Sequence, residues 1–398
     1  MKKYIEGSMA VAEAVVLCKP NVISAYPITP QTHIVEDLSQ MYANAEFKGQ
    51  FVNVESEFSA ASVCLGAVVT GARAYTATTS QGLLLMSEVL FNMAGMRLPL
   101  VLTCANRAIS APINIWTDHS DAMALRDSGF IQLYAENNQE AADLHYQAYK
   151  ISEDDSVRLP VMVNMDGFLL THSFEPVDMP TQQEVDDFLP SYKPRHYLDV
   201  KHPITFGSMV GEDGYMEVRY NLEEAMKNAF GVIEKVTKEF EQKFGRKFGI
   251  FIDTYKMEDA ETVIVALGSV VGTIKESIDL MRANGIKVGL MKVRTFRPFP
   301  KQAIVDCLKN IKNVIVIDRA SSVGSGGILA TEIRSAFYGN TSVPKVNSYI
   351  VGLGGRDITI KTITDIVGNF ANVKVQDSQF VELDHKYMQA GDEYLKTI

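Results

Sequence analysis

The feature that most narrows the fold is the alternation of two periods along the first 170 residues. Short apolar, β-branched runs recur at Val22–Tyr26, Phe51–Val54, Ala72–Thr79, Leu98–Cys104, Phe130–Tyr134 and Leu159–Asn164. Helix-length stretches separate them, at Ser8–Cys18, Thr32–Ala43, Ser59–Val69, Leu83–Ala94 and Gln139–Glu153. Strands alternating with helices imply βαβ units and a parallel sheet covered on both faces. The sequence therefore predicts an α/β, doubly wound domain, with Ser8 as the N-cap of its first helix.

Residues 173–258 break the alternation. Pro176, Pro180, Pro190, Pro194 and Pro203 space out a polar, irregular segment, and a long charged helix is expected from Asn221 to Lys243. Strands then return at Thr262–Leu267, Lys287–Val293, Val314–Asp318 and Val346–Val351, with helices at Val271–Asn284, Lys301–Lys309, Gly327–Ser335 and Ile360–Phe370. The expected division is a first domain over 1–255, including a connecting segment over 173–255, a smaller α/β domain over 256–372, and a C-terminal tail over 373–398. The tail reads as a strap along the surface or across a partner.

Composition removes several functions. With 46% apolar and 22% charged residues the chain is expected to be globular rather than disordered. A formal charge of −10 without a basic block argues against nucleic acid. No apolar run is long enough to span a membrane, and Glu13 interrupts the run Met9–Leu17, so neither secretion nor a membrane span is expected. The four cysteines, Cys18, Cys64, Cys104 and Cys307, form no CxxC pair. They offer no local zinc or iron–sulfur ligand set, no metal is expected on this chain, and the thiols read as reduced, buried and cytoplasmic.

In open α/β sheets ligands bind beyond the carboxyl ends of the strands. Four places there carry polar groups. Tyr26-Pro27-Ile28-Thr29-Pro30 is a loop stiffened by two prolines that presents Thr29 in one orientation. Glu55-Ser56-Glu57 sets a carboxylate beside a helix of small residues, and the residues alone do not choose between Glu55 and Glu57. Thr78-Thr79-Ser80-Gln81-Gly82 is a polar turn with too little glycine for a phosphate loop. Ala105-Asn106-Arg107 offers a guanidinium that can take a carboxylate through two hydrogen bonds. Asp118-His119-Ser120-Asp121 is too compact for its side chains to converge on one ion. Gly268–Gly272, Arg294–Pro300 and Gly324–Gly327 read as turns and a docking surface.

Together, YPITPQT (Tyr26–Thr32), VESE (Val54–Glu57), TTSQGLLLM (Thr78–Met86), the segment Asn106–Asp121, RDSGFIQLYAENNQEA (Arg126–Ala141) and KVRTFRPFP (Lys292–Pro300) resemble the α subunits of multi-subunit pyruvate:ferredoxin oxidoreductases, of the 2-oxoacid:ferredoxin oxidoreductase family. The resemblance implies a pyrimidine-type thiamine diphosphate-binding domain followed by a transketolase C-terminal-like domain. It implies that Glu57, rather than Glu55, bonds the cofactor's N1′. Pro27 and Thr29 would line the cofactor, and Thr29 and Arg107 would bind the substrate carboxylate and carbonyl. Glu57, Thr29 and Arg107 are thus the expected catalytic set.

The resemblance also implies conversion of pyruvate and coenzyme A to acetyl-CoA and CO2, reversibly, with reduction of ferredoxin. The diphosphate-binding GDG motif is missing, because neither Asp166-Gly167 nor Asp213-Gly214 follows a glycine. A β subunit would then supply diphosphate and Mg2+ binding and an iron–sulfur cluster. A δ subunit would add clusters and a γ subunit would complete a heterotetramer. The alternatives are the same reaction on a branched-chain acid, 2-oxobutyrate or 2-oxoglutarate, or a non-catalytic scaffold.

Overall fold

A computed structural model describes residues 2–370 and 378–384. The first part of the chain runs β1 (Lys2–Glu6), α1 (Gly7–Leu17), β2 (Val22–Ala25), α2 (Thr32–Ala43), β3 (Gln50–Asn53), α3 (Glu57–Val69), β4 (Ala74–Thr78), α4 (Ser80–Leu85), α5 (Ser87–Gly95), β5 (Val101–Asn106), α6 (Ser120–Ala124), β6 (Ile131–Tyr134), α7 (Asn138–Ser152) and β7 (Val161–Asp166). A connecting part follows: β8 (Phe174–Asp178), α8 (Gln182–Phe188) and α9 (Glu212–Phe244). The rest comprises β9 (Ile252–Tyr255), β10 (Thr262–Ala266), α10 (Val270–Ala283), β11 (Val288–Val293), β12 (Thr295–Arg297), α11 (Lys301–Leu308), β13 (Asn313–Asp318), α12 (Ile328–Ala336), β14 (Lys345–Ile350), α13 (Ile360–Asn369) and β15 (Gln379–Phe380).

Two sheets carry the fold. The first has the order β12-β6-β7-β5-β4-β2-β3 and is parallel except for β12, which lies antiparallel to β6. The second has the order β15-β14-β13-β10-β11-β9, and only β9 is antiparallel. The central strands are buried on both faces, which is why they read as mainly apolar runs. Helices α1, α2, α7 and the C-terminal half of α9 cover one face of the first sheet. A second apolar cluster runs from α3 and α5 through Phe296 and Phe299 to Val263, Val316 and α12, so the two sheets share a core.

Several sequence expectations change. Ser8 does not cap α1: Glu6 holds the N-cap position, and Ser8 Oγ donates to the Thr171 carbonyl at 2.8 Å. The stretch Leu83–Ala94 is two helices, α4 and α5, that meet at Met86. The connecting segment is not wholly irregular. β8 pairs antiparallel with β1, and α8 opens on a Thr181/Glu184 capping box. The long helix starts at Glu212 and spans 33 residues, or about 50 Å.

Arg294–Pro300 is not a surface turn. It supplies β12 to the first sheet, and Arg294 is fully buried beside Glu140 and Gln147. Apart from 378–384, the C-terminal tail lies outside the described residues. Its described part adds β15 to the edge of the second sheet beside β14.

Candidate active site

The carboxyl ends of β2, β3, β4 and β5 meet at one end of the first sheet, and each delivers a polar segment there. Ser56 ends the β3 turn as the N-cap of α3, its Oγ accepting from the Ser59 N–H. That cap separates the two glutamates. Glu55 stays at the surface, where Ser59 Oγ donates to it at 2.5 Å and holds its carboxyl below the usual range. Glu57 turns inward and is 7% exposed.

What Glu57 faces is a gap that only glycine can leave. A Cβ on Gly82 would lie 2.7 Å from Glu57 Oε1 and 2.5 Å from Thr78 Oγ1. Gly82→Ala is therefore expected to cost about 1–3 kcal/mol through overpacking, read as a lower midpoint in chemical denaturation. Thr78 Oγ1 and Gln81 Nε2 are buried without a hydrogen-bond partner, so the wall around Glu57 carries unused polar capacity.

Asp121 gathers the neighbouring loops. Its buried carboxylate accepts from the backbone N–H of Ser80 at 2.9 Å, of Arg107 at 3.0 Å and of Ala122 at 2.7 Å, and from Asn106 Nδ2 at 2.9 Å. Burial pushes its carboxyl above the usual value, and these donors pull it back. Ser80 sits at φ +48°, a region that non-glycine residues seldom occupy, and the Asp121 bond to its N–H helps to hold it there. Asp121 was missed because the segment around it reads as a compact acidic cluster, and its partners Ser80 and Arg107 lie 41 and 14 residues away in sequence.

The Asp121 bond fixes the Arg107 backbone, and the side chain folds back on the proline loop. Nη1 donates to the Thr29 carbonyl at 2.8 Å and Nε to the Asn114 carbonyl at 3.1 Å. The loop is itself pinned by Gln31, whose Nε2 donates to the carbonyls of Tyr26 and Ala77, both at 2.9 Å. Behind it, a Cβ on Gly167 would strike Pro30 at 2.5 Å and the Asn106 carbonyl at 2.6 Å, so this glycine lets the loop seat. Glu57, Thr29 and Arg107 thus share one end of the sheet. Burial lowers the affinity of the Arg107 guanidinium for its proton, while the charges of Asp121 and Glu57 oppose this. Pro27 stands on the exposed side of the same loop.

The second sheet is latched close by. Asp166, at the end of β7, meets His119 Nε2 at 2.5 Å and Arg319 Nη1 at 2.7 Å, and accepts from Ser269 Oγ and N. Burial alone would raise its carboxyl, but the His119 and Arg319 charges and these hydrogen bonds hold it well below the carboxylate range. Asp166-Gly167 is therefore a structural joint in this chain. A cleft of about 480 Å³ beside the joint, lined in part by Glu136, Leu170, Ser269, Arg319 and Arg356, includes none of Glu57, Thr29 and Arg107.

Sequence comparison identifies the family. The family described as "Pyruvate flavodoxin/ferredoxin oxidoreductase, thiamine diP-bdg" matches residues 13–238, and "Pyruvate:ferredoxin oxidoreductase core domain II" matches 260–363. The chain is 50% identical to the pyruvate synthase subunit PorA of Methanosarcina barkeri, over 96% of this chain and 97% of that one. The chain belongs to the pyruvate:ferredoxin oxidoreductase family, as an α subunit.

Among its relatives is the ketoisovalerate oxidoreductase subunit VorA of Pyrococcus horikoshii, 44% identical over 94% of each chain. The fold is that of a solved 2-oxoglutarate:ferredoxin oxidoreductase from Magnetococcus marinus, with a TM-score of 0.69 and 19% identity. The match covers 92% of this chain and 65% of that longer one. The first domain is thus of the thiamine diphosphate-binding type. Among the described residues no helix is long and apolar enough to cross a membrane.

Proposed function

We propose that this chain holds the aminopyrimidine half of thiamine diphosphate and the 2-oxoacid in an enzyme that converts pyruvate and coenzyme A to acetyl-CoA and CO2, reversibly, passing electrons to ferredoxin. The observation that carries this reading is the buried Glu57 carboxyl, facing the Gly82 gap at the same sheet end as the Arg107–Thr29 bracket. The residues suit the cofactor: a carboxyl that can exchange a proton, beside orphaned polar atoms on Thr78 and Gln81, is a lining for a heteroaromatic amine. Thiamine diphosphate supplies a carbon nucleophile for the 2-oxo carbon and an electron sink for the departing CO2.

The chain's own groups do the rest. Glu57 holds a proton against the pyrimidine N1′, where burial keeps water from competing for it. Pro27 and Thr29 wall the cofactor on a loop that cannot swing. Arg107 spends two of its five N–H donors on the Thr29 and Asn114 carbonyls, so its remaining donors are oriented for a carboxylate. A guanidinium suits this task because decarboxylation removes the charge it recognises, and the product is not held by it.

The partner subunits are part of the same proposal. Phe58, Leu85, Ile113, Ile115 and Trp116, from the segments that frame the Glu57 end of the sheet, are all at least 38% exposed. An apolar rim around a charged site suits burial by another chain. A β subunit would close it, bringing the diphosphate, Mg2+ and a cluster, with γ and δ subunits completing the electron path. The proposed division is a pyrimidine-binding unit over 1–255 and a transketolase C-terminal-like unit over 256–372. All four cysteines are free, which suits a reducing compartment, the cytoplasm.

Arg107→Ala tests the substrate role. Losing a charge-assisted pair costs about 1.5–3 kcal/mol, so the pyruvate KM is expected to rise roughly 10- to 100-fold while that for coenzyme A stays nearly constant. Equal rises for both would point to a general distortion instead. The VorA relative favours one second reading, a branched-chain 2-oxoacid in the same bracket, which a substrate panel separates.

A further inference from the structure

Away from Glu57, three side chains from distant parts of the sequence converge on one point. Glu6 ends β1, His33 lies in the first turn of α2, and His172 lies in the turn between β7 and β8. A carboxylate oxygen of Glu6 and one nitrogen of each imidazole all lie within 4.8 Å of one another. Glu6 Oε1 is 2.7 Å from His33 Nδ1, and the two imidazole rings stand 4.4 Å apart, tilted by 36°.

An ion pair alone would need only Glu6 and His33. The second imidazole is instead held in place. Phe168 packs against it at 4.6 Å, and its Nδ1 is tied to Thr171 Oγ1 at 2.7 Å. A hydrogen bond on one ring nitrogen is how a metal-bound histidine is oriented, and it leaves the other nitrogen available as a ligand. The surroundings are acidic. Glu13, Glu36 and Asp37 lie nearby, and Lys3 is occupied by Glu13. Burial, with Glu6 adding to it and His33 opposing it, pushes Asp37 up to about 6.

We infer that Glu6, His33 and His172 form a binding site for a transition-metal dication of the Zn2+ type. Two imidazole nitrogens and one carboxylate oxygen suit such an ion, whereas Mg2+ and Ca2+ select oxygen ligands. His33 is 43% exposed, so a fourth position stays open to water. The site also has a mechanical consequence. α2 begins two residues after Pro30, and His172 follows the Gly167 turn on which Pro30 seats. An ion there ties together both supports of the Thr29 loop and the β1–α1 junction. The ligands escaped the cysteine and histidine spacing rules because no two of them are close in sequence.

The test is metal retention by the full chain, which does not depend on turnover or on the substrate. After chelator treatment the chain is loaded with ZnCl2, gel-filtered and assayed for metal, and CoCl2 is used as a spectroscopic probe. One Zn2+ per chain is expected in wild type, with visible ligand-field bands for Co2+ and no retention of Mg2+. His33→Asn and His172→Ala are each expected to lose that equivalent while keeping the wild-type circular dichroism. The exposed His33 gives the variant that leaves the core untouched. No retained Zn2+ in wild type, or equal retention in both variants, would overturn the site and leave an ion pair beside a packed histidine.

Discussion

Glu57→Gln is expected to lower turnover by about 10²- to 10⁴-fold, the usual scale for loss of a positioned general acid–base. The amide keeps the volume that fits against Gly82 and Thr78, so the chain should fold and assemble as before. What it loses is the exchangeable proton. Glu55→Gln is the matched control: that residue is exposed, its partner is Ser59, and the variant should retain wild-type activity. Viologen reduction driven by pyruvate and coenzyme A, with melting temperature and gel filtration alongside, separates chemistry from folding. Full activity in Glu57→Gln, or an equal loss in Glu55→Gln, would remove Glu57 from its role.

The second large effect is expected in stability. Glu140 is completely buried in α7 and accepts from Lys292 Nζ at 2.6 Å and Arg294 Nε at 3.1 Å, two cations that are themselves 1% exposed. It also accepts from the Glu136 backbone N–H at 2.8 Å. This cluster joins α7 of the first sheet to β11 of the second and to the residue before β12. Glu140→Ala would strand both cations in the interior, and breaking such a buried pair costs about 3–5 kcal/mol. Glu136 stays on Lys292 and Gln147 on Arg294, which sets the lower end of that range. The exposed pair Glu234–Lys238 on α9 gives the contrast, since Glu234→Ala should shift stability by under about 1 kcal/mol. Chemical denaturation followed by circular dichroism checks both, and an unchanged midpoint in Glu140→Ala would contradict the cluster's role.

The central strands of both sheets were readable because burial on two faces makes them mainly apolar, with few polar positions. β4, β5 and β7 begin and end within two residues or so of their apolar runs. Three peripheral strands were not readable. β1 carries two lysines, β8 contains Pro176, and β12 is three residues long. Each is defined by a partner strand far away in sequence rather than by its own pattern. The long helix was started late because its first turns, with Tyr215, Met216 and Tyr220 exposed, lack an apolar stripe packed on the core.

The candidate site divides in the same way. Thr29, Glu57 and Arg107 were visible as polar residues just beyond strands, and proline stiffening singled out the first loop. Composition could not separate Glu55 from Glu57; the Ser56 cap does so in the fold by turning one outward and the other in. Gly82 and Asp121 were illegible for a related reason. A glycine opening a helix and an acid in a polar loop look ordinary until the strand ends bring Glu57, Ser80 and Arg107 against them. Arg294 read as part of a turn and docking surface because its partner, Glu140, lies 154 residues earlier.

The most direct test of the account is a panel of 2-oxoacids on the assembled enzyme, with coenzyme A and a viologen acceptor. Pyruvate should give the highest kcat/KM, and Arg107→Ala should lower kcat/KM for all of the acids by a similar factor, because they share the carboxylate. Preference for a branched-chain acid or for 2-oxoglutarate, or no reduction with any 2-oxoacid, would contradict it.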